Sequence, residues 1–183
     1  MDTVLDRAWT TDTFLAWEDR QEGRHEFDGQ RVIPMTGGSL AHQDIVFNLR
    51  TVLARLLAGQ PARASQEMRL RIGEHVRYPD VVIFAGDLDQ STRTLPDALA
   101  IFEVLSDDTA TTDRVAKLGE YTHVPSLRAY VLLEQTAVAA TLFRRDVGGP
   151  WIASAHTAGE LMLPGIDIAV PLVELYQGLT FPA

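Results

Sequence analysis

Two carboxylates and one amine are the residues of this chain whose type and setting could do chemistry. Glu103 lies in the run from Leu99 to Leu105 (LAIFEVL), and Asp80 lies in the run from Tyr78 to Phe84 (YPDVVIF). Short continuous apolar runs rich in Val, Ile and Phe read as central strands covered on both faces. An unpaired carboxylate in such a place costs several kcal/mol or becomes protonated, so something must compensate it. Two acids entering a core from consecutive strands meet cations or bind a metal, and a hard cation such as Mg²⁺ takes a few carboxylates while keeping its waters. Lys117 is the only lysine among sixteen basic residues, the other fifteen being arginine. A chain that uses arginine everywhere else and lysine once points to a position that needs a compact ammonium rather than a planar fork. A plainer account exists for each residue alone. Either acid could sit at a solvated strand end or pair with an arginine, and Asp113 and Lys117, four apart, could form an ordinary intrahelical ion pair. That account covers a surface pair but not two acids in central strands.

The elements that would position these groups follow from periodicity. Thr11 to Asp19 reads as a short helix with Asp12 or Thr13 as its cap. Arg24 to Phe27 and Gln30 to Ile33, around Asp28-Gly29, read as a two-residue hairpin. Ser39 caps a helix running to about Ala58, with Ile45, Leu49, Val52, Leu53 and Leu56 at helical spacing and His42 on the same face. Met68, Leu70 and Ile72 alternate with Glu67, Arg69 and Arg71 in a half-buried strand. Residues 86–97 read as a surface loop, and Thr109 to Thr122 as the helix carrying Lys117. Leu127 to Leu133, Val138 to Phe143 and Trp151 to Ala155 read as strands, Leu161 to Val170 as another short one, and Val173 to Tyr176 as a helical turn.

The chain has 183 residues, 46% of them hydrophobic, which is the size and composition of one globular domain over residues 1–183. A net charge of −9 and a pI near 4.9 exclude broad electrostatic adhesion to nucleic acid, so any phosphate contact must be local. Arg69, Arg71 and Arg77 are candidates for such contacts. With no cysteine the chain has neither disulfides nor a thiolate zinc site. No apolar run reaches the length of a membrane span and no signal-peptide pattern opens the chain, so a cytoplasmic protein is expected. The apolar faces of the C-terminal strands are compatible with a homodimer.

Several motifs together resemble one family: His25-Glu26 with Asp28-Gly29, Met35 with His42, Pro79-Asp80-Val81-Val82, Glu103-Val104-Leu105-Ser106, Asp113-Arg114 with Lys117 and Tyr121, and Tyr130-Val131-Leu132. In order and spacing, over about residues 14 to 145, they are similar to the Uma-two family of endonucleases in the restriction-endonuclease-like PD-(D/E)XK superfamily. The resemblance implies an α/β fold, a central mixed β-sheet flanked by helices with extra antiparallel strands at the C-terminus. It also implies a metal-dependent endonuclease acting on nucleic acid, DNA foremost, with Mg²⁺ or Mn²⁺ held by Asp80 and Glu103 and with Lys117 as the catalytic ammonium. One departure stands out. The superfamily's lysine usually lies two residues after the second acid, where this chain has Leu105, so Lys117 must reach the site from the following helix. Glu26 resembles the additional upstream catalytic acid of these nucleases, while a cross-strand ion pair with Arg31 accounts for it equally. His42 is expected to be a hydrogen-bonded core histidine, with a site-facing role as the family's alternative. Asp113 and Tyr121 read as supporting or surface residues, and His25, His75, His123 and His156 show no metal-ligand spacing. The rival reading is a catalytically inactive module of the same fold that binds nucleic acid or a protein partner; a third is a hydrolase of a small phosphorylated metabolite.

Overall fold

The computed structural model describes residues 9–105 and 112–181, without the side chains of residues 112–116. The first half runs α1 (Thr11–Glu18), β1 (His25–Phe27), β2 (Val32–Pro34), α2 (Leu40–Leu56), β3 (Ala62–Gln66), β4 (Arg69–Ile72) and β5 (His75–Arg77). Next come β6 (Val81–Ala85), β7 (Thr94–Leu95), β8 (Ala100–Val104), α3 (Thr112–Tyr121) and β9 (Ala129–Leu133). The chain closes with β10 (Ala140–Arg144), β11 (Ile152–His156), β12 (Glu160–Leu163), β13 (Ile168–Pro171) and a 3₁₀ turn, Leu172–Tyr176. Six strands form a mixed sheet in the order β11-β10-β9-β8-β6-β3, in which β8 and β9 are parallel and the other neighbours antiparallel. A five-stranded sheet, β2-β1-β5-β4-β7, and the antiparallel β12-β13 hairpin complete the strands. This is the expected α/β architecture: a mixed sheet between helices, with added C-terminal antiparallel strands.

Side-chain alternation assigns the two faces of the six-stranded sheet. Val81, Ile83, Phe102, Val104, Val131 and Leu133 pack with Ile45, Leu49 and Leu53 of α2. Val82, Phe84, Ile101 and Leu132 point the other way and meet Leu70, Ile72, Leu95 and Tyr121. Both faces are therefore covered, which is why β6 and β8 read as unbroken apolar runs rather than alternating ones. By the same two-residue period, Asp80 and Glu103 belong to the face of Val82 and Ile101, the side on which Tyr121 of α3 packs.

Local differences from the sequence reading have local causes. The cap of α1 is Thr10, not Asp12 or Thr13, because Thr10 and Thr13 exchange backbone-to-hydroxyl hydrogen bonds in a capping box. In the first hairpin the Asp28 carboxylate accepts from the Gln30 and Arg31 amides at 3.0 and 2.6 Å, which moves the loop on to Gly29 and Gln30. Glu26 then lies opposite Ile33 and not Arg31, and Arg31 pairs with Asp28 at 2.8 Å. Pro79, lacking an amide hydrogen, falls between β5 and β6, so the run from Tyr78 to Phe84 is strand only from Val81. Within the 86–97 loop, β7 adds a short strand beside β4 because Leu95 is fully buried. The single strand expected over Leu161 to Val170 is a hairpin, and the first residues of the helix expected from Thr109 lie outside the described residues. Among the described residues no helix is long and apolar enough to cross a membrane.

Candidate active site

Asp80 and Glu103 meet where β6 begins and β8 ends. Each carboxylate leans on the other strand's backbone: the Val104 amide donates to Asp80 Oδ2 at 2.7 Å, and the Asp80 amide approaches Glu103 Oε2 at 3.4 Å. The two acids are thus held side by side on one face of the sheet. From α3, Lys117 Nζ lies 3.5 Å from Glu103 Oε1 and 3.4 Å from Glu26 Oε1. One turn later the Tyr121 hydroxyl, fully buried, donates to Glu103 Oε1 at 2.9 Å. The side-chain pairing of Asp113 with Lys117 lies outside the described residues. Asp80, Glu103, Lys117 and Glu26, drawn from a strand start, a strand end, a helix and a hairpin, are brought together.

The electrostatics follow from this packing. Burial pushes the Glu103 carboxyl up to about 7, the charges of Asp80 and Glu26 push the same way, and the Lys117 ammonium and the Tyr121 hydroxyl oppose them. Burial and the neighbouring Glu103 hold the Tyr121 phenol well above its ordinary value, so Tyr121 is a neutral donor.

Glu26 is 7% exposed and anchored three ways: by Lys117, by Arg77 Nη1 at 3.1 Å and by the Tyr78 amide at 3.2 Å. Arg77 spends its remaining donors on Glu120 of α3, at 2.6 and 2.7 Å. Arg69, read as an outward strand residue, is instead buried against Glu18, Asp19 and the Tyr78 hydroxyl. Arg71 pairs with Asp12 at 2.9 Å. Arg69 and Arg77 are therefore committed to carboxylates, since a buried guanidinium needs partners for its five donors, whereas Arg71 and Asp12 form an exposed surface pair.

His42 is hydrogen-bonded and largely buried, as expected, and its partner is a residue of the site, the placement the family likeness left open: its Nε2 lies 3.2 Å from Asp80 Oδ1. That hydrogen bond holds the imidazole pKa above its ordinary 6.5, with burial acting in opposition. The position depends on Gly38, because a Cβ there would come within 2.6 Å of His42 Cδ2. Glu67 also borders the site in a left-handed conformation, φ 50°, with its amide 3.2 Å from the carbonyls of Pro79 and Asp80 and its carboxylate paired with Arg24. Neither feature has a sequence signal beyond proximity to Gly37-Gly38 and the end of β3. The Arg77–Glu120 link was also missed, although Glu120 lies one turn from Lys117 on the same helix.

Glu26, His42, Glu67, Asp80, Glu103 and Lys117 line a cleft of about 270 Å³, walled on its apolar side by Ile33, Pro34, Met35, Val104 and Leu105. Among the described residues no set of three His, Cys, Asp or Glu side chains is arranged to hold a metal ion. Asp80 and Glu103 set two carboxylates side by side at the cleft, oxygen donors of the type that a hard divalent cation takes when they are ionised.

A family model described as "Putative restriction endonuclease" and called Uma2 matches residues 11–170. The chain belongs to the Uma2 family. It is 32% identical over 174 residues to an uncharacterised protein of Synechocystis sp., covering 92% of this chain and 91% of that one. A second uncharacterised Synechocystis protein is 28% identical over 149 residues, 78% of this chain and 84% of its own. The fold is similar to a crystal structure from Anabaena variabilis described as "a putative nuclease belonging to DUF820", with TM-score 0.74, 19% identity and coverage of 92% of this chain and 97% of that one.

Proposed function

We propose that this chain is a metal-dependent endonuclease that hydrolyses phosphodiester bonds in nucleic acid, with DNA the expected substrate, and that residues 1–183 act as one domain. The observation that carries the reading is the convergence of Asp80 and Glu103 from adjacent strands with the chain's only lysine, whose Nζ is 3.5 Å from Glu103. Membership of the Uma2 family and the nuclease-like fold support it. Asp80 and Glu103 would hold Mg²⁺ or Mn²⁺, which when bound supplies Lewis acidity and lowers the pKa of water. The protein's own groups supply the rest. The Val104 amide and His42 fix the two oxygens of Asp80, and Tyr121 fixes one oxygen of Glu103. Lys117 places a compact positive charge where negative charge gathers on the phosphoryl oxygens during displacement, an effect strengthened where water is excluded. Glu26, clamped by Arg77, holds that ammonium from the other side.

The test is purified protein with single-stranded, duplex and branched DNA in Mg²⁺ or Mn²⁺. Wild type should cleave, and Asp80→Ala and Lys117→Ala should each lose roughly a hundredfold or more in rate. Cleavage that survives unchanged in both variants would remove these residues from the mechanism. Calorimetric titration of Mn²⁺ should show binding that Asp80→Ala and Glu103→Gln abolish; DNA binding without metal-dependent cleavage would instead identify a non-catalytic module.

A further inference from the structure

We propose that Arg77 and Glu120 are positioning residues for Lys117, forming a clamp that lets a lysine on a helix serve a site whose acids lie on strands. The proposal rests on the function argued above and extends it to two residues that touch no substrate. Lys117 is fourteen positions beyond Glu103, on a different element, so its ammonium reaches the acids only while α3 is docked in one orientation. A long flexible stem by itself leaves the amine free to sample many positions. Around it, the described side chains make a ring: Lys117 to Glu26, Glu26 to Arg77 Nη1 at 3.1 Å, Arg77 to both oxygens of Glu120 at 2.6 and 2.7 Å, and Glu120 back along α3 to Lys117 three residues away.

The chemistry of each link suits its task. Arg77 is 3% exposed, so it lies too deep to meet a phosphate, and its guanidinium is the one side chain able to grip a carboxylate with two donors while offering a third to another acid. The two-point grip on Glu120 fixes the rotation of α3 as well as its distance. That rotation also decides where Tyr121, the next residue, delivers its hydroxyl, which is Glu103 Oε1 at 2.9 Å. A single docking contact therefore sets two of the groups that touch Glu103. His75 adds a second basic group beside Glu120, its Nε2 3.8 Å away, on the same strand as Arg77. Burial disfavours the charge on Arg77, but the flanking carboxylates more than restore it and hold its pKa above the ordinary arginine value, so the guanidinium stays charged.

The lone lysine makes the test specific. Acylation of the folded protein by an amine-reactive acetyl ester, read by peptide mass spectrometry with the α-amino group as internal reference, reports Lys117 and no other side-chain amine. In Glu120→Gln, which loosens the grip but leaves Arg77 with Glu26, Lys117 should be acylated about tenfold faster than in wild type. Its kcat on DNA with Mn²⁺ should fall about 10- to 100-fold, the size expected for a misplaced catalytic group. KM should stay within about twofold, because neither residue meets substrate. Arg77→Met should do the same more strongly; if it fails to fold, Glu120→Gln alone decides. An unchanged Lys117 acylation rate in folded Glu120→Gln, or a loss expressed in KM with kcat intact, overturns the clamp. Absence of cleavage by wild type, together with faster acylation in Glu120→Gln, overturns the nuclease reading and leaves the clamp standing.

Discussion

Glu103 concentrates the cost of this site. Its carboxyl has an ordinary pKa of 4.5 and is pushed up to about 7 in the folded chain, chiefly by burial. A raised folded-state value means that the protonated form is the one the fold favours. The associated stability is fully present below pH 4.5 and is lost as pH rises through 7. At about 1.4 kcal/mol per pKa unit, the loss is of the order of 3 kcal/mol. Without metal, Glu103→Gln should therefore gain on wild type between pH 5 and pH 8 in urea denaturation with a chelator, and parallel pH profiles would refute the assignment. The Tyr121 hydroxyl is the matching donor. Tyr121→Phe should lower stability at pH 8 by about 1.5 to 3 kcal/mol, the range for a hydrogen bond to a charged group, with a smaller loss at pH 5.

At the scale of elements, α2 shows how a loop and a helix start share one task. Ser39 caps the helix by accepting the His42 amide at 3.1 Å, and Gly38 leaves the space that the His42 ring fills. Gly38→Ala should push the ring from Asp80, since the added methyl carbon would meet Cδ2 at 2.6 Å, far inside contact distance. The His42 pKa, held up first by the Asp80 hydrogen bond, should then fall toward 6.5 or below, because burial alone lowers it. Proton NMR titration of the histidine Cε1–H signals measures this directly; an unmoved His42 titration would show that the ring does not depend on Gly38. The central strands need no such device: β6 and β8 are fixed by apolar packing on both faces, and the acids ride at their ends.

For the whole molecule, the charge of −9 sets how nucleic acid can be held. Among the described residues lining the cleft, Lys117 brings an ammonium and His42 lies beside Asp80, while Arg69 and Arg77 are buried against carboxylates and Arg71 pairs with Asp12 at the surface. Few phosphates can then be neutralised. Binding of a short duplex to Asp80→Ala should show a shallow salt dependence, a log–log slope between about −0.9 and −1.8, against −0.7 to −1.4 or so for a single strand. Fluorescence anisotropy across a salt series checks it. A slope steeper than about −4 would mean phosphate contacts well beyond the cleft.

The continuous apolar runs around Asp80 and Glu103 determined, from sequence, the covered strands β6 and β8, because a run without alternation has no solvent face to offer; Glu103 lies within β8 and Asp80 one residue before β6. The helical spacing of Ile45, Leu49, Val52 and Leu53 likewise determined α2, and the solitary lysine drew notice to Lys117. Tertiary structure alone decided the partners. A one-residue shift in the first hairpin, made by the Asp28 side chain, took Glu26 away from Arg31; the pairing of β1 with β5 gave it Arg77 instead, and docking of α3 gave it Lys117. Arg69 alternates like a surface residue and Arg77 was a candidate for phosphate, yet both are buried, because the carboxylates that neutralise them come from α1, the hairpin and α3, some 43 to 51 positions away along the chain. Periodicity records which way a side chain points from its own element, and charge pairing across elements is settled only when those elements pack.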